Sequence, residues 1–452
     1  MKKMHPVLLA LLIFSATMQA QTTGTITGKT DAKATKDKKS PLFGIVFSGY
    51  VKTDFIFDSR QTVNFREGHF LLFPENEKPD EDGTDINAKA NFNILSIQTR
   101  LAGSITGPDA LGAKTSAYFE AEFFGNINPN INTFRLRHAW IKLNWTKTEL
   151  MMGQSWHPMF VPECSPGTVS FNTGAPFVVF SRNPQLRITQ KFGKFSLQFS
   201  ALEQIDFMST GPDGISSKYL RNSVLPELNL LLQYGFNNPV RKTEFLIGAS
   251  VNYFMLTPRL QTEVTLSPAR DTVINNIVYH TEAQTSIYKT SEKSRSMGGS
   301  FFVKVRIPNF TFKAGAVYGD DNYAYTMLGG YAVKSIKDAA KGFVDYANVR
   351  SWAAWGEIHT NGTRWQPGLF GAFGQNLGAT SDITGPYYAR GNNIAYAYRI
   401  SPRLIFNVQK LRFAGEIEYT VAAYGTVNNN ATVSDAKEVG NFRILLGAYY
   451  FF

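Results

Sequence analysis

Gly44–Asp58 reads GIVFSGYVKTDFIFD and sets Ile45, Phe47, Val51, Phe55 and Phe57 on one parity, with Ser48, Lys52, Asp54 and Asp58 on the other. Successive side chains of an extended chain point to opposite faces, so this stretch is a strand with one apolar and one polar face. The alternation recurs to the last residue. Ala117, Phe119, Ala121 and Phe123 alternate with Tyr118, Glu120 and Glu122, and Phe245, Ile247, Ala249, Val251 and Tyr253 with Glu244, Ser250 and Asn252. Phe413, Ile417, Tyr419 and Val421 alternate in the same way with Arg412, Glu416 and Glu418. About sixteen such segments come after Pro41, each near the 9–11 residues that a tilted strand needs to cross a bilayer.

The connections between these segments alternate between short and long. Short turns fall at Thr146–Glu149, Phe192–Lys194, Asn237–Lys242, Pro308–Phe310 and Thr360–Thr363, where Asn361-Gly362 is a strong two-residue hairpin signal. Long polar links fall at Ser59–Asn91, His157–Arg182, Asp206–Leu225, Thr257–Arg295, Asp320–Asp345 and Gly425–Gly440. Transmembrane barrels have short periplasmic turns and longer external loops, so the pattern predicts an all-β antiparallel transmembrane barrel rather than a soluble sandwich. A miscounted hairpin is expected within Val317–Ser351.

Composition agrees. Of 452 residues only 18% are charged, below the roughly 25% usual for soluble chains, while 14% are aromatic and 37 are glycine. The long apolar run Val7–Phe14 is too short for a membrane-spanning helix, which needs about 20 residues. Lys2 and Lys3 before it and Ala16–Ala20 after it make residues 1–20 a secretory signal peptide with cleavage after Ala20. Residues 21–41 come next as a Lys- and Thr-rich periplasmic tail, and residues 42–452 as the barrel. The lone cysteine, Cys164, cannot form an internal disulfide and is expected as a small buried apolar filler. A net charge of +11 suggests nucleic acid, but export and the lack of an arginine-rich run exclude that partner.

Counting back from Phe452, the alternate positions Tyr450, Ala448, Leu446, Ile444 and Phe442 are all apolar. This ending, the sixteen-segment meander, and Phe134-Arg135-Leu136-Arg137-His138-Ala139-Trp140 with Met152-Gly153-Gln154-Ser155-Trp156 resemble the porin superfamily of Gram-negative outer membranes. Within it the chain is most similar to DcaP-like porins, whose pattern pairs a basic-aromatic strand with a Gly-Gln-(Ser/Thr)-Trp segment. The resemblance implies an outer-membrane channel for small hydrophilic solutes, a homotrimer, and an ending read by the outer-membrane assembly machinery through Tyr450 and Phe452. It also implies a third external loop folded into the lumen.

That loop is His157–Arg182. Phe160, Phe171, Phe177 and Phe180 would be costly to expose, and Pro158, Pro162, Pro166, Gly167 and Gly174 permit tight bending. Folding over the rim or against a neighbouring subunit is the other reading. Glu163 is its only carboxylate, whereas the wall offers Arg100, Arg135, Arg137 and Arg187 at lumen parity, together with Lys304, Arg306, Lys313, Arg399 and Arg412. Against them stand Glu120, Glu122, Glu357, Glu416 and Glu418. Arg100, Glu120, Glu122, Arg135, Arg137, Glu163 and Arg187 are therefore the expected pore lining, read either as a basic ladder favouring anions or as a solvated, mutually neutralised wall. Placing Arg135 and Arg137 inward sends Phe134, Leu136, His138 and Trp140 outward. A histidine in a lipid-facing row would need either a subunit interface or a different register at that point of the strand.

No catalytic constellation appears. The six histidines are scattered, and no zinc-protease, nucleophile-elbow or phosphate-loop pattern occurs, so no enzymatic activity and no cofactor are expected. Asp80, Asp82 and Asp85 around Gly83 gather hard oxygen ligands of the type calcium prefers, without EF-hand spacing; a solvated acidic loop is the plain alternative. Two functions from different classes fit the chain. One is passive diffusion through a lumen narrowed by residues 157–182. The other is a structural barrel whose long external loops, Ser59–Asn91 and Thr257–Arg295, bind partners.

Overall fold

A computed structural model describes residues 43–275 and 277–452. The signal peptide and the proposed tail lie outside them. Sixteen antiparallel spans form the wall. The first eight are β1 (Gly44–Asp58), β2 (Arg100–Thr106), β3 (Lys114–Glu122), β4 (Arg135–Asn144), β5 (Thr148–Trp156), β6 (Arg182–Phe192), β7 (Phe195–Leu202) and β8 (Glu227–Asn238). The others are β9 (Thr243–Leu256), β10 (Ser294–Arg306), β11 (Phe310–Gly319), β12 (Phe343–Thr360), β13 (Trp365–Gly378), β14 (Ile394–Val408), β15 (Leu411–Val427) and β16 (Val433–Phe451). Each pairs with the next, and β16 returns to β1 through Asp58↔Arg443 to Tyr50↔Phe451, which closes the ring and leaves no free edge. A separate segment, Asn91–Leu95, pairs with the far half of β1 and continues the line of β2.

The two parities separate cleanly on closure. Phe47, Val51, Phe55, Phe57, Phe413, Ile417, Phe442, Ile444, Leu446 and Tyr450 point outward and are exposed, whereas Lys52, Asp54, Asp58, Glu416, Glu418 and Arg443 on the same strands are buried inside. Water cannot be the solvent for such an outer band. It faces lipid, and a closed barrel leaves no backbone group unpaired there. The chain end seals the ring at the short-turn rim, where the Phe452 N–H donates to the Gly49 carbonyl at 3.1 Å.

The loops depart from expectation in two places. Gly425–Gly440, read as a long link, is mostly strand: β15 runs to Val427 and β16 starts at Val433. Asp320–Asp345 contains a strand, Gly329–Asp338, that pairs with an outward extension of β12 and lengthens the wall without adding a span. In both, alternation continues past the membrane into polar sequence, where composition gives no sign that pairing persists.

Candidate functional site: the loop-filled lumen

The third external loop enters the barrel. Leaving β5 at Trp156, it crosses to the opposite wall and is tied there by its own backbone. Gly167 N–H donates to Glu357 Oε2 at 2.9 Å, and Val169 and Ser170 N–H donate to Glu416 Oε2. Asn172 Nδ2 donates to Glu418 Oε1 at 3.2 Å, and Arg399 Nη1 donates to the Ala175 carbonyl at 2.9 Å. Its phenylalanines pack on residues from the first two external loops: Phe171 stacks on Phe124 at 3.9 Å and Phe180 meets Phe70 edge-on at 5.0 Å. Backbone N–H groups that a surface loop would give to water are here accepted by wall carboxylates, so burial leaves them satisfied.

Arg100, Arg135 and Arg137 converge on Glu122. Its Oε1 accepts from Arg135 Nη2 at 2.9 Å and Arg137 Nη1 at 2.6 Å, and its Oε2 from Arg100 Nη2 at 2.8 Å. Glu120 accepts from Arg137 Nε at 2.5 Å, and Asp206 of the fourth external loop pairs with Arg135 at 3.0 Å and Arg182 at 2.7 Å. The guanidiniums of Arg135 and Arg137 also lie over Phe124 and Phe171. The expected constriction residues are thus together but buried beneath the loop as a paired ionic cluster, not spread as an open ladder.

The motif residues explain how this cluster is built. Glu120 pairs with His138 while Ala121 pairs with Leu136, so Arg137 is one residue too many: a β-bulge. Gln154 Nε2 donates to the otherwise free Arg137 carbonyl at 3.0 Å. Gly153 sits at φ +128°, where a Cβ would meet the Ala139 oxygen at 2.2 Å, and Trp156 lies under the Arg137 guanidinium. The bulge lets the adjacent Arg137 and His138 both point inward and reverses the parity of the rest of β4. His138 and Trp140 therefore face the lumen, contrary to the outward placement, and His138 offers nothing to a subunit interface. Trp140 stacks on Tyr118 at 5.4 Å.

Towards the short-turn end the inner wall is less buried. Glu163 is exposed, alone among the loop residues from His157 to Ser181, and its charge acts on Arg187 together with that of Glu149. Lys142 pairs with Glu149 at 2.9 Å and Lys304 with Glu244 at 2.8 Å, while Lys191 and Arg306 are exposed on the same inner row. Lys142 and Trp140 were hidden from sequence reasoning by the bulge, and Glu149 begins β5 where the sequence reads as a short turn. Arg187 and Glu163 stand apart from the cluster at Glu122, so the seven expected lining residues divide between two layers.

No protein-family model and no curated protein matches the sequence. The outer membrane channel DcaP of Acinetobacter baumannii superposes with a TM-score of 0.62 at 17% identity, over 91% of this chain and 97% of that one. OmpT, an outer membrane protein of Vibrio cholerae, gives 0.50 at 9% identity over 92% and 99%. This chain has a porin fold. At such identities the likeness is one of architecture.

Three further expectations concern the loops of the porin fold. Cys164 is buried, its thiol donating to the Val303 carbonyl at 3.2 Å, and burial pushes that thiol up to about 12, so it stays protonated. The acidic stretch of the first external loop spends its carboxylates on itself. Asp80 Oδ1 accepts from the Asp82 and Thr84 N–H groups, and Lys78 and Asn87 N–H with Arg60 hold the Asp85 carboxyl below its usual range. Among the described residues, Asp80, Asp82 and Asp85 do not form a ligand cluster. Tyr450 lies in the outward row and Phe452 at the seam.

Asp321, in the loop after β11, is buried with Oδ2 unpartnered. Burial, with Glu227 and Asp320 nearby, raises its carboxyl to about 7, opposed by a bond from the Tyr323 N–H. A folded-state value above the unfolded one means that its contribution is fully present below about pH 4 and lost as pH rises through 7. Relative to the intrinsic exchange rate at each pH, Asp320–Leu328 is expected to be more protected at pH 5 than at pH 8, and Asp321→Asn to flatten that difference in protection.

Proposed function

We propose that the barrel is an outer-membrane porin through which small hydrophilic solutes diffuse passively, with anions favoured and the lumen narrowed by His157–Arg182. The carrying observation is the set of hydrogen bonds that ties this loop to β12 and β15 across the interior. Anion preference is supported by the water-exposed layer rather than by the buried cluster. There Arg187, Lys191 and Arg306 exceed Glu163 once the Lys142–Glu149 and Lys304–Glu244 pairs are set aside. Fixed charge at that depth replaces part of a solute's hydration and sets which sign enters. A homotrimer is part of the same proposal. Ala314, Ala316, Ala354, Gly356 and Gly371 give β11–β13 a low outer surface on which a neighbouring wall can approach closely.

In a planar bilayer with a KCl gradient, the purified chain is expected to give a reversal potential on the chloride side. Arg187→Gln with Arg306→Gln should move it towards zero, and cation preference in the unmodified protein would sink the anion reading. The partner-binding alternative is favoured by the aromatic packing of Phe70, Phe124, Phe171 and Phe180, which fills the outer half of the lumen. It predicts no steady conductance. We propose that Tyr450 and Phe452 serve assembly, supported by their place at the closing seam.

A further inference from the structure

Beyond β9 the fifth external loop leaves the wall as a hairpin, Gln261–Ser267 against Gln284–Lys289, and returns through 290–293 into β10. The return segment lies against the outward extension of β12: the Val344 N–H donates to Glu292 Oε1 at 2.6 Å, and Asn348 Nδ2 donates to the Arg295 carbonyl at 2.6 Å. Between the two lies a cleft of about 240 Å³, lined by Lys289, Lys293, Arg295, Lys337, Glu292 and Asp345 among others.

The charges in this cleft are unequal. Glu292 is consumed on its inner side, accepting from Arg259 Nε at 2.6 Å and Nη2 at 2.9 Å, from Val344 N–H and from the Tyr346 hydroxyl. Lys289, Lys293, Arg295 and Lys337 are exposed, and among the described residues none of them is paired with a carboxylate. Asp345 is the remaining acid. Four cations thus face one free carboxylate around a hollow large enough for a phosphorylated sugar.

Position identifies the ligand. On β10 Arg295 shares the parity of Met297 and Phe301, which point to lipid, and Lys293 and Lys289 precede that strand on its approach from the loop. Met255 pairs with Arg295, one rung beyond the Tyr253–Met297 pair, and Tyr318 pairs with Gly299. Tyrosines at lipid parity mark the membrane–water interface. At about 3.3 Å per residue Arg295 stands roughly 7 Å past Met297, at headgroup level, with Lys293 and Lys289 farther out. We propose that this notch on the outer rim binds the phosphate and carboxylate groups of an anionic glycolipid headgroup in the outer leaflet. The apolar row below it takes the acyl chains. A free anion on its way into the pore would meet cations on the inner parity, and Arg295 stands on the outer one.

The test uses the full chain in detergent with lipopolysaccharide as probe, read by native mass spectrometry or by gel shift. Lys289→Gln, Lys293→Gln, Arg295→Gln and Lys337→Gln together are expected to weaken binding at least about tenfold, since each cation near an anionic surface contributes separately. The same kind of charge change at the opposite rim, Lys191→Gln with Lys194→Gln and Lys242→Gln, should leave binding unchanged. Single-channel conductance should be the same in the outer-rim variant and the unmodified chain, so a failure here is separable from a failure of the diffusion reading. Equal binding by the outer-rim variant, or by dephosphorylated lipopolysaccharide, would overturn the proposal. So would full competition by inorganic phosphate at millimolar concentration, which would make this a site for the free anion.

Discussion

Glu122→Gln is expected to cost about 3–5 kcal/mol of barrel stability, because it removes the charge on which three buried guanidiniums converge. Both carboxylate oxygens are used, by Arg135 and Arg137 on one and by Arg100 on the other, and the side chain is fully buried. The amide keeps one acceptor and turns an N–H₂ towards a guanidinium. The arginines cannot shed their protons, so the uncompensated charge remains. Heat-modifiable migration on a gel should show the folded band lost at a clearly lower temperature. Glu120→Gln should be milder, at about 1–2 kcal/mol, since its partners Arg100 and Arg137 keep their bonds to Glu122 and the Tyr118 hydroxyl remains to meet the amide oxygen. If the two variants melt alike, the cluster is not organised around Glu122.

The contrast between those neighbours also marks what periodicity can and cannot disclose. The strand count, the closing seam and the outward row from Phe442 to Tyr450 were legible, because a strand between lipid and lumen must alternate and a closed ring admits no slip. The bulge at Arg137 was not. Its compensations are a side-chain amide from Gln154, on the next strand, and a glycine at positive φ at 153, and neither disturbs the hydrophobic pattern. Once parity is lost at Arg137, every later inner residue of β4 is misplaced, which is why His138, Trp140 and Lys142 escaped a reading by alternation. The loop interior is a similar case. Composition argued for burying its phenylalanines, but its partners Glu357, Glu416 and Glu418 lie about 190–250 positions away and are matched to it only by the fold.

Those partners permit the second large effect. Glu416 accepts the Val169 and Ser170 N–H groups and the Ser401 hydroxyl, and no cation forms an ion pair with it among the described residues. Glu416→Ala therefore removes one of the loop's attachments without stranding an arginine, unlike Glu357→Ala, which would leave Arg403 without its carboxylate. Leaving the two loop N–H groups without an acceptor costs about 1–3 kcal/mol each while the loop stays in place. Water can satisfy them only if the segment leaves the wall. Adding Asn172→Ala takes away the bond to Glu418 and should release Val169–Asn172 from the wall between the Gly167–Glu357 and Ala175–Arg399 bonds, which stay. Under the diffusion reading, the double variant is expected to raise single-channel conductance about twofold and to add open-channel noise. Its melting temperature should fall far less than that of Glu122→Gln, because the ring and its ionic cluster are untouched. Unchanged conductance in a variant whose loop has become accessible to protease would show that the Val169–Asn172 segment does not limit the path, and the narrowing would then have to be sought at the Arg187–Glu163 layer.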